Sequence, residues 1–144
     1  MDFQNILVAF DSSSYSNRAF RAALDIADAN KSKITIVTVL TGIYQPSIGF
    51  SMKYNRDDLD KYTKIIRKTV SNLESIAKKK NINVSLRILQ DPSVSKAIVN
   101  HVNSNKYDLV VIGSHGRTGL NKMILGSVAN SVTQKVKCAV MVVK

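Results

Sequence analysis

The stretch LVVIGSHGRTGLNKMILGSVANSV, residues 109–132, decides how the whole chain is read. It opens on an unbroken apolar run, Leu109 to Ile112, and passes into a loop holding Gly113, Gly116 and Gly119. After Gly126 and Ser127, valines recur at 128, 132 and 136. An apolar run without alternation fits a strand covered on both faces, and valines four residues apart mark one face of a helix. A strand, a glycine loop and a helix in that order form a ready anion site. Glycine allows positive φ and close backbone approach, while the helix adds unpaired N–H groups and the positive end of its dipole. Ser127 can donate its hydroxyl to a phosphate oxygen or cap the helix it opens. The same loop could also be a flexible connection without a ligand. Two common nucleotide signatures, a glycine loop closing on Gly-Lys-Ser/Thr and the Gly-x-Gly-x-x-Gly fingerprint, are absent.

Working outward, four further β-branched runs read as strands: Ile6 to Phe10, Ile34 to Leu40, Val84 to Leu89 and Ala139 to Val143. Val84, Leu86 and Ile88 alternate with Ser85 and Arg87, which predicts an edge strand. Between the runs lie helical spacings. Ala19, Ala22, Ala23, Ile26 and Ala27 mark one helix, with Ser12, Ser13 and Ser14 as capping candidates. Leu59, Tyr62, Ile66, Thr69, Leu73 and Ile76 predict a long helix over Asp57 to Lys80, acidic at its start and basic at its end, as the helix dipole favours. Val94, Ala97, Ile98 and Val102 mark a third, and Ser127 opens the fourth. Strands alternating with helices predict an α/β fold: one domain over residues 1–144, an open parallel five-stranded sheet with helices on both faces, Rossmann-like. In such sheets ligands bind beyond the carboxyl ends of the strands.

Asp11 stands at the carboxyl end of the first strand. A carboxylate repels phosphate, so against a nucleotide it would accept from sugar hydroxyls or the base, or face a cation such as Mg²⁺. Capping the first helix is its alternative role.

The balance of 21 Lys+Arg against 10 Asp+Glu gives a net charge of +11. That charge suits a phosphorylated ligand, nucleic acid or an anionic surface. Nucleic acid is the weaker reading, because there is no RNA-binding aromatic signature, no zinc-finger spacing and no Trp. Lys78, Lys79 and Lys80 are expected to form a solvated helix end. The single cysteine, Cys138, lies in an apolar run and is read as a small core residue. His101, near the apolar face of the third helix, is read as structural. An acidic second residue and a short first apolar run do not resemble a signal peptide, and no stretch approaches the ~20 apolar residues of a membrane span. The expectation is a cytoplasmic protein without membrane insertion. Ser114 beside His115 does not make a hydrolase, since the strained Gly-x-Ser-x-Gly elbow is missing.

Gly113, Gly116, Gly126 and Ser127 together spell Gly, two residues, Gly, nine residues, Gly-Ser. With VIGSHGRTG over 111–119 and Tyr15-Ser16 ahead of Ala19, this resembles the ATP-binding branch of the universal stress protein family over essentially the whole chain. The resemblance implies that Asp11 meets the ribose or adenine and that Val39 hydrogen-bonds adenine through its backbone. It implies that Ile112, Gly113, Gly116, Gly126, Ser127 and Val128 line the ribose and phosphates of ATP. Mg²⁺ would reach Asp11 only through the nucleotide. Arg117 and Lys122 bring positive charge to the same loop, with phosphate contact and a solvated position both open for Arg117. Two positions depart from the family's habit: Ser12 stands where glycine is frequent, and Ala9 where proline is.

The function so implied is a nucleotide-dependent switch with a protein partner still to be identified. A slow ATPase and a basic protein binding nucleic acid or an anionic surface are the alternatives. Thr41 to Arg56, with Tyr44, Pro46, Phe50 and Tyr54, is long enough for a lid, an interface or a packed loop. The apolar run Ala139 to Val143 is expected at a sheet edge, where the resemblance implies a homodimer.

Overall fold

In the computed structural model, which describes residues 2–45, 49–51, 54–117 and 124–144, each apolar run becomes a strand within one residue of its expected ends. In chain order the elements are β1 (Asn5–Ala9), α1 (Ser14–Asn30), β2 (Lys33–Leu40), β3 (Ile43–Gln45), β4 (Gly49–Ser51), α2 (Arg56–Lys79), β5 (Val84–Gln90), α3 (Val94–Ser104), β6 (Leu109–Gly113), α4 (Ser127–Lys135) and β7 (Ala139–Val143). Five strands pair in the order β5-β2-β1-β6-β7, every neighbour parallel.

Strand side chains alternate between the faces, so β1, in the middle, feeds two cores. Ile6 and Val8 join Ala19, Phe20, Ala23 and Ala27 of α1 and Val70, Leu73 and Ala77 of α2. Leu7 and Ala9 join Ile98 and Val102 of α3 and Ala129 and Val132 of α4. The alanines of α1 let that helix lie close on the sheet, and Phe20 fills the space between. At the edge strand β5, Ser85 and Arg87 are exposed while Val84 and Leu86 pack inward, as their alternation predicts. The other edge is β7, whose Met141 is 38% exposed. Cys138 is half-buried at the rim of the second core, and burial pushes its thiol up from the usual range.

Three local readings change. Thr41 to Arg56 is not all loop, because β3 and β4 pair antiparallel. Strands of three residues are too short for alternation to show, and Gly42 with φ 112° supplies the turn into them. Pro46 of this segment lies outside the described residues. Ser127 does not cap α4: Gly126 holds the cap position with no side-chain bond, and Ser127 is the first helical residue. Lys80 is not merely solvated, since its Nζ lies 2.9 Å from Asp28 Oδ2 on α1, the one ion pair among the described residues.

Candidate functional site

The sheet order places a crevice where β1 and β6 lie side by side. From β1 the chain crosses through α1 to β2, and from β6 it crosses through α4 to β7 on the other side and the other face. Two crossovers that part in this way leave an opening beyond the strand ends between them. The register deepens it, because Ala9, the last residue of β1, pairs with Val37 while β2 runs on to Leu40 and β6 to Gly113. Phe10 N still donates to Val37 O at 2.9 Å, and Thr38 Oγ1 donates to Phe10 O at 3.0 Å, which fixes where β1 ends. Backbone polar groups of alternate strand residues point the same way. Val39, two residues beyond Val37, therefore turns its N–H and C=O toward the space past the end of β1.

A cavity of about 920 Å³ fills this crevice, within the range of small-molecule sites, ~300–1,000 Å³. Asp11, Val39, Ile112, Gly113, Gly116, Arg117, Gly126, Ser127 and Val128 all line it, brought from four separate parts of the chain. Lys122, Thr118 and Gly119 lie outside the described residues.

The glycines serve close packing, and not the positive φ that the sequence had also allowed. None of Gly113, Gly116 and Gly126 has positive φ. A Cβ on Gly113 would sit 2.7 Å from Tyr15 Cβ and 2.9 Å from its carbonyl carbon, so this glycine lets α1 start against the end of β6. A Cβ on Gly116 would sit 2.9 Å from Asp11 Oδ2. On Gly126 it would meet Ser114 O at 3.1 Å and His115 Cα at 3.3 Å. Gly126 N donates to Ser114 O at 2.8 Å, and Ser114 N donates to Val143 O at 2.7 Å. The loop is thus folded onto the end of β6 and tied to the end of β7.

Asp11 is not the helix cap. Its Oδ1 accepts from Ser13 N at 2.9 Å, and Ser13 caps α1 by accepting from Ser16 N at 3.1 Å. Between them Ser12 takes φ 69°, a left-handed conformation that costs an ordinary residue about 1–2 kcal/mol. This accounts physically for glycine being frequent at that position in the family the sequence resembles. Arg117 is neither free in solvent nor committed to the loop alone: its Nε donates to Asp11 O at 2.6 Å and its backbone N–H to Asp11 Oδ2 at 3.2 Å.

The helix ends differ in a telling way. Ser13, Asn55 and Ser93 each cap their helix with a side-chain oxygen. α4, whose first residues Ser127, Val128 and Ala129 line the cavity, has no side-chain cap. Its N–H groups and dipole end are turned toward the cavity.

The remaining singled-out groups are held against neighbours, His115 on the wall of the same cavity. Ser114 Oγ lies 3.0 Å from His115 Nδ1, but Ser114 is only 3% exposed and is not offered to a substrate. The His115 ring packs on Tyr15, 5.3 Å between centroids, and the guanidinium carbon of Arg18 lies 4.7 Å from the centre of the same tyrosine ring. His101 Nε2 is 2.9 Å from Tyr107 Oη; burial, and then the charge of Arg87, push its pKa below the usual value. Sequence reasoning missed Thr38, Tyr62, Ile66 and Ile98 as cavity residues. Tyr62 and Ile66 sit on the apolar stripe of α2 that also supplies Val70, Leu73 and Ala77 to the core, so helical spacing could not separate core from cavity wall. Tyr54, an aromatic of the segment read as a lid, an interface or a packed loop, also lines the cavity, its ring 5.9 Å from that of Tyr62.

Among the described residues no helix is long and apolar enough to cross a membrane, and no group of three or more His, Cys, Asp or Glu could hold a metal ion. The family model of the universal stress protein family matches residues 2–144. The universal stress protein YxiE of Bacillus subtilis is 29% identical over 152 aligned positions, covering 99% of both chains. Among solved structures, universal stress protein UspA from Lactobacillus plantarum superposes with a TM-score of 0.83 at 20% identity, over 100% of this chain and 99% of that one. A universal stress protein from Archaeoglobus fulgidus in complex with dAMP has a TM-score of 0.69 at 23% identity, over 100% of both chains.

Proposed function

This chain belongs to the universal stress protein family, and we propose that within it the protein binds ATP as a nucleotide-dependent switch. The observation that carries this reading is the uncapped start of α4 on the wall of the cavity, beside the close approach of Gly126 to Ser114. Each of α1, α2 and α3 has one of its first N–H groups met by the side chain of its cap residue. Among the described residues no side chain caps the start of α4, and an anion is the chemistry that fits. Phosphates would lie against Gly113, Gly116 and Gly126 to Val128, adenine against the backbone of Val39, and the sugar toward Asp11. The dAMP complex of the Archaeoglobus fulgidus protein supports an adenine nucleotide in this fold. Mg²⁺ would travel with the nucleotide, because among the described residues Asp11 belongs to no group of three or more His, Cys, Asp or Glu that could hold a metal.

Binding rather than turnover is the proposed role. Both oxygens of Asp11 already accept a backbone N–H, which leaves this carboxylate poorly placed to activate water. The signal would leave the site through Ser114, which joins the loop to Val143 at the end of the edge strand β7. Pairing of β7 with a second copy of the chain would make a homodimer, in the cytoplasm; a monomeric mass by light scattering at micromolar concentration counts against it. The test of the function is to denature the purified protein, identify any nucleotide released, and titrate the emptied protein with Mg-ATP. Neither carry-over nor measurable binding would remove the proposal.

One observation favours a second reading. Lys61, Lys64, Arg67, Lys68 and Lys79 are exposed on α2 beside Ile65 and Ile76, themselves 53% and 42% exposed. A basic helix with exposed isoleucines suits an anionic surface. Such binding would collapse with salt and ignore ATP.

A further inference from the structure

We infer that Arg117 is a positioning residue that fastens the turn at Asp11 to the glycine loop, and that it is not a phosphate ligand. The inference rests on the nucleotide reading above and concerns how that site is held ready. Asp11 accepts three hydrogen bonds, from two sides of the crevice. Oδ1 accepts from Ser13 N at 2.9 Å, Oδ2 from Arg117 N at 3.2 Å, and the main-chain carbonyl from Arg117 Nε at 2.6 Å. The first holds the carboxylate to its own turn. The other two hold the whole residue to a loop 106 positions further along the chain.

Gly116 has its reason here. A Cβ at 116 would lie 2.9 Å from Asp11 Oδ2, in the place the carboxylate needs in order to reach the N–H of Arg117. The loop glycine that the family resemblance assigns to the ribose and phosphates thus also makes room for the carboxylate beside it. Ser12, strained at φ 69°, shows that the turn is not at rest by its own preference and is kept in place by its partners.

An arginine is suited to this task. Its Nε–H is a trigonal donor close to the main chain and can reach a neighbouring carbonyl, whereas lysine has no donor before the tip of its stem. With Nε spent on the Asp11 carbonyl, the guanidinium stands in the wall that divides the main cavity from a small one of about 50 Å³ beneath Thr69 and Val70. Arg117 and Asp11 line both. The fastening therefore sets the direction in which Asp11 offers its remaining lone pairs. A ligand's hydroxyl or base donor must meet them, and its phosphates need not touch Arg117.

Titrating the full chain with adenosine and with Mg-ATP separates the roles. Arg117→Ala is expected to weaken both ligands by the same factor, on the order of tenfold for loss of one charge-assisted hydrogen bond. Arg117→Lys should behave like Arg117→Ala. Weaker ATP with unchanged adenosine would make Arg117 a phosphate ligand and overturn the inference, as would no change in either. A second readout needs no nucleotide: in ¹⁵N spectra of the nucleotide-free protein the Arg117 Nε–H should exchange slowly with solvent. Exchange as fast as that of a solvated arginine overturns the fastening. A slow Nε–H in a protein that binds neither ligand removes the proposed function, and with it the positioning role, while leaving the contact itself in place.

Discussion

Replacing Gly113 by alanine adds one methyl group at a place where α1 already touches β6. The new carbon would lie 2.7 Å from Tyr15 Cβ and 2.9 and 3.1 Å from the carbonyl carbon and oxygen of the same residue. Two of these atoms are backbone in the first turn of a helix, so no rotamer change relieves the overlap and the helix itself must shift. Forcing an extra methylene into a packed contact costs about 1–3 kcal/mol. An unfolding entropy of roughly 2.1 cal/mol/K per residue gives about 0.3 kcal/mol/K for a chain of 144 residues. The melting temperature should then fall by about 3–10 °C in a calorimetric scan without nucleotide. Gly116→Ala is the matched control, because its added carbon meets only the end of the Asp11 side chain, at 2.9 Å. A carboxylate can turn away, so the melting point should change by no more than about 2 °C, the effect of roughly 0.5 kcal/mol. ATP affinity should drop nonetheless. If Gly113→Ala melts with the wild type, or Gly116→Ala falls as far as Gly113→Ala, the packing account of these glycines is wrong.

Gly126→Val should abolish ATP binding, since even its first carbon crowds Ser114 O at 3.1 Å; normal binding would place the phosphates elsewhere. Ser12→Gly should raise stability by about 0.5–1 kcal/mol, the relief of left-handed strain less the entropy of a glycine in the unfolded chain, and a lower melting temperature would contradict this. His101 gives a pH dependence. Its folded pKa lies below the usual 6.5, first because of burial and then because of Arg87, so the unfolded chain takes up its proton first on acidification. Stability should be full above about 6.5 and decline as pH falls from there toward the folded pKa. In His101→Gln the slope in that window should flatten, and urea titrations at pH 7.5 and 5.5 would show whether it does.

What the sequence made legible follows from the range of the interactions involved. Apolar runs such as Leu109 to Ile112 and spacings such as Leu59 to Ile76 are local patterns, and they marked the ends of the sheet's strands and of α2 to within one residue and the presence of the other three helices. The two edges, β5 and β7, were also legible, the first from the alternation of Ser85 and Arg87 with their apolar neighbours. The hairpin of β3 and β4 was not, because three residues are too few to carry a period. Nor was the reason for the glycines. Gly113 answers to Tyr15 and Gly116 to Asp11, both about a hundred positions away, and only the folded chain brings them together. The same distance hid the bond from Arg117 to Asp11, which is neither the phosphate contact nor the solvated position the sequence left open for that arginine. Ser127 was a plausible cap by residue type, but its register in α4 starts one residue too late.

The measurement that tests the central claim most directly is a titration of the ¹⁵N-labelled protein with Mg-ATP, followed through its amide signals. Saturable shifts at Gly113, Gly116, Gly126 and Ser127, together with Val39 at the other end of the cavity, are the predicted result. Shifts confined to the lysines of α2, or none at millimolar nucleotide, would contradict it.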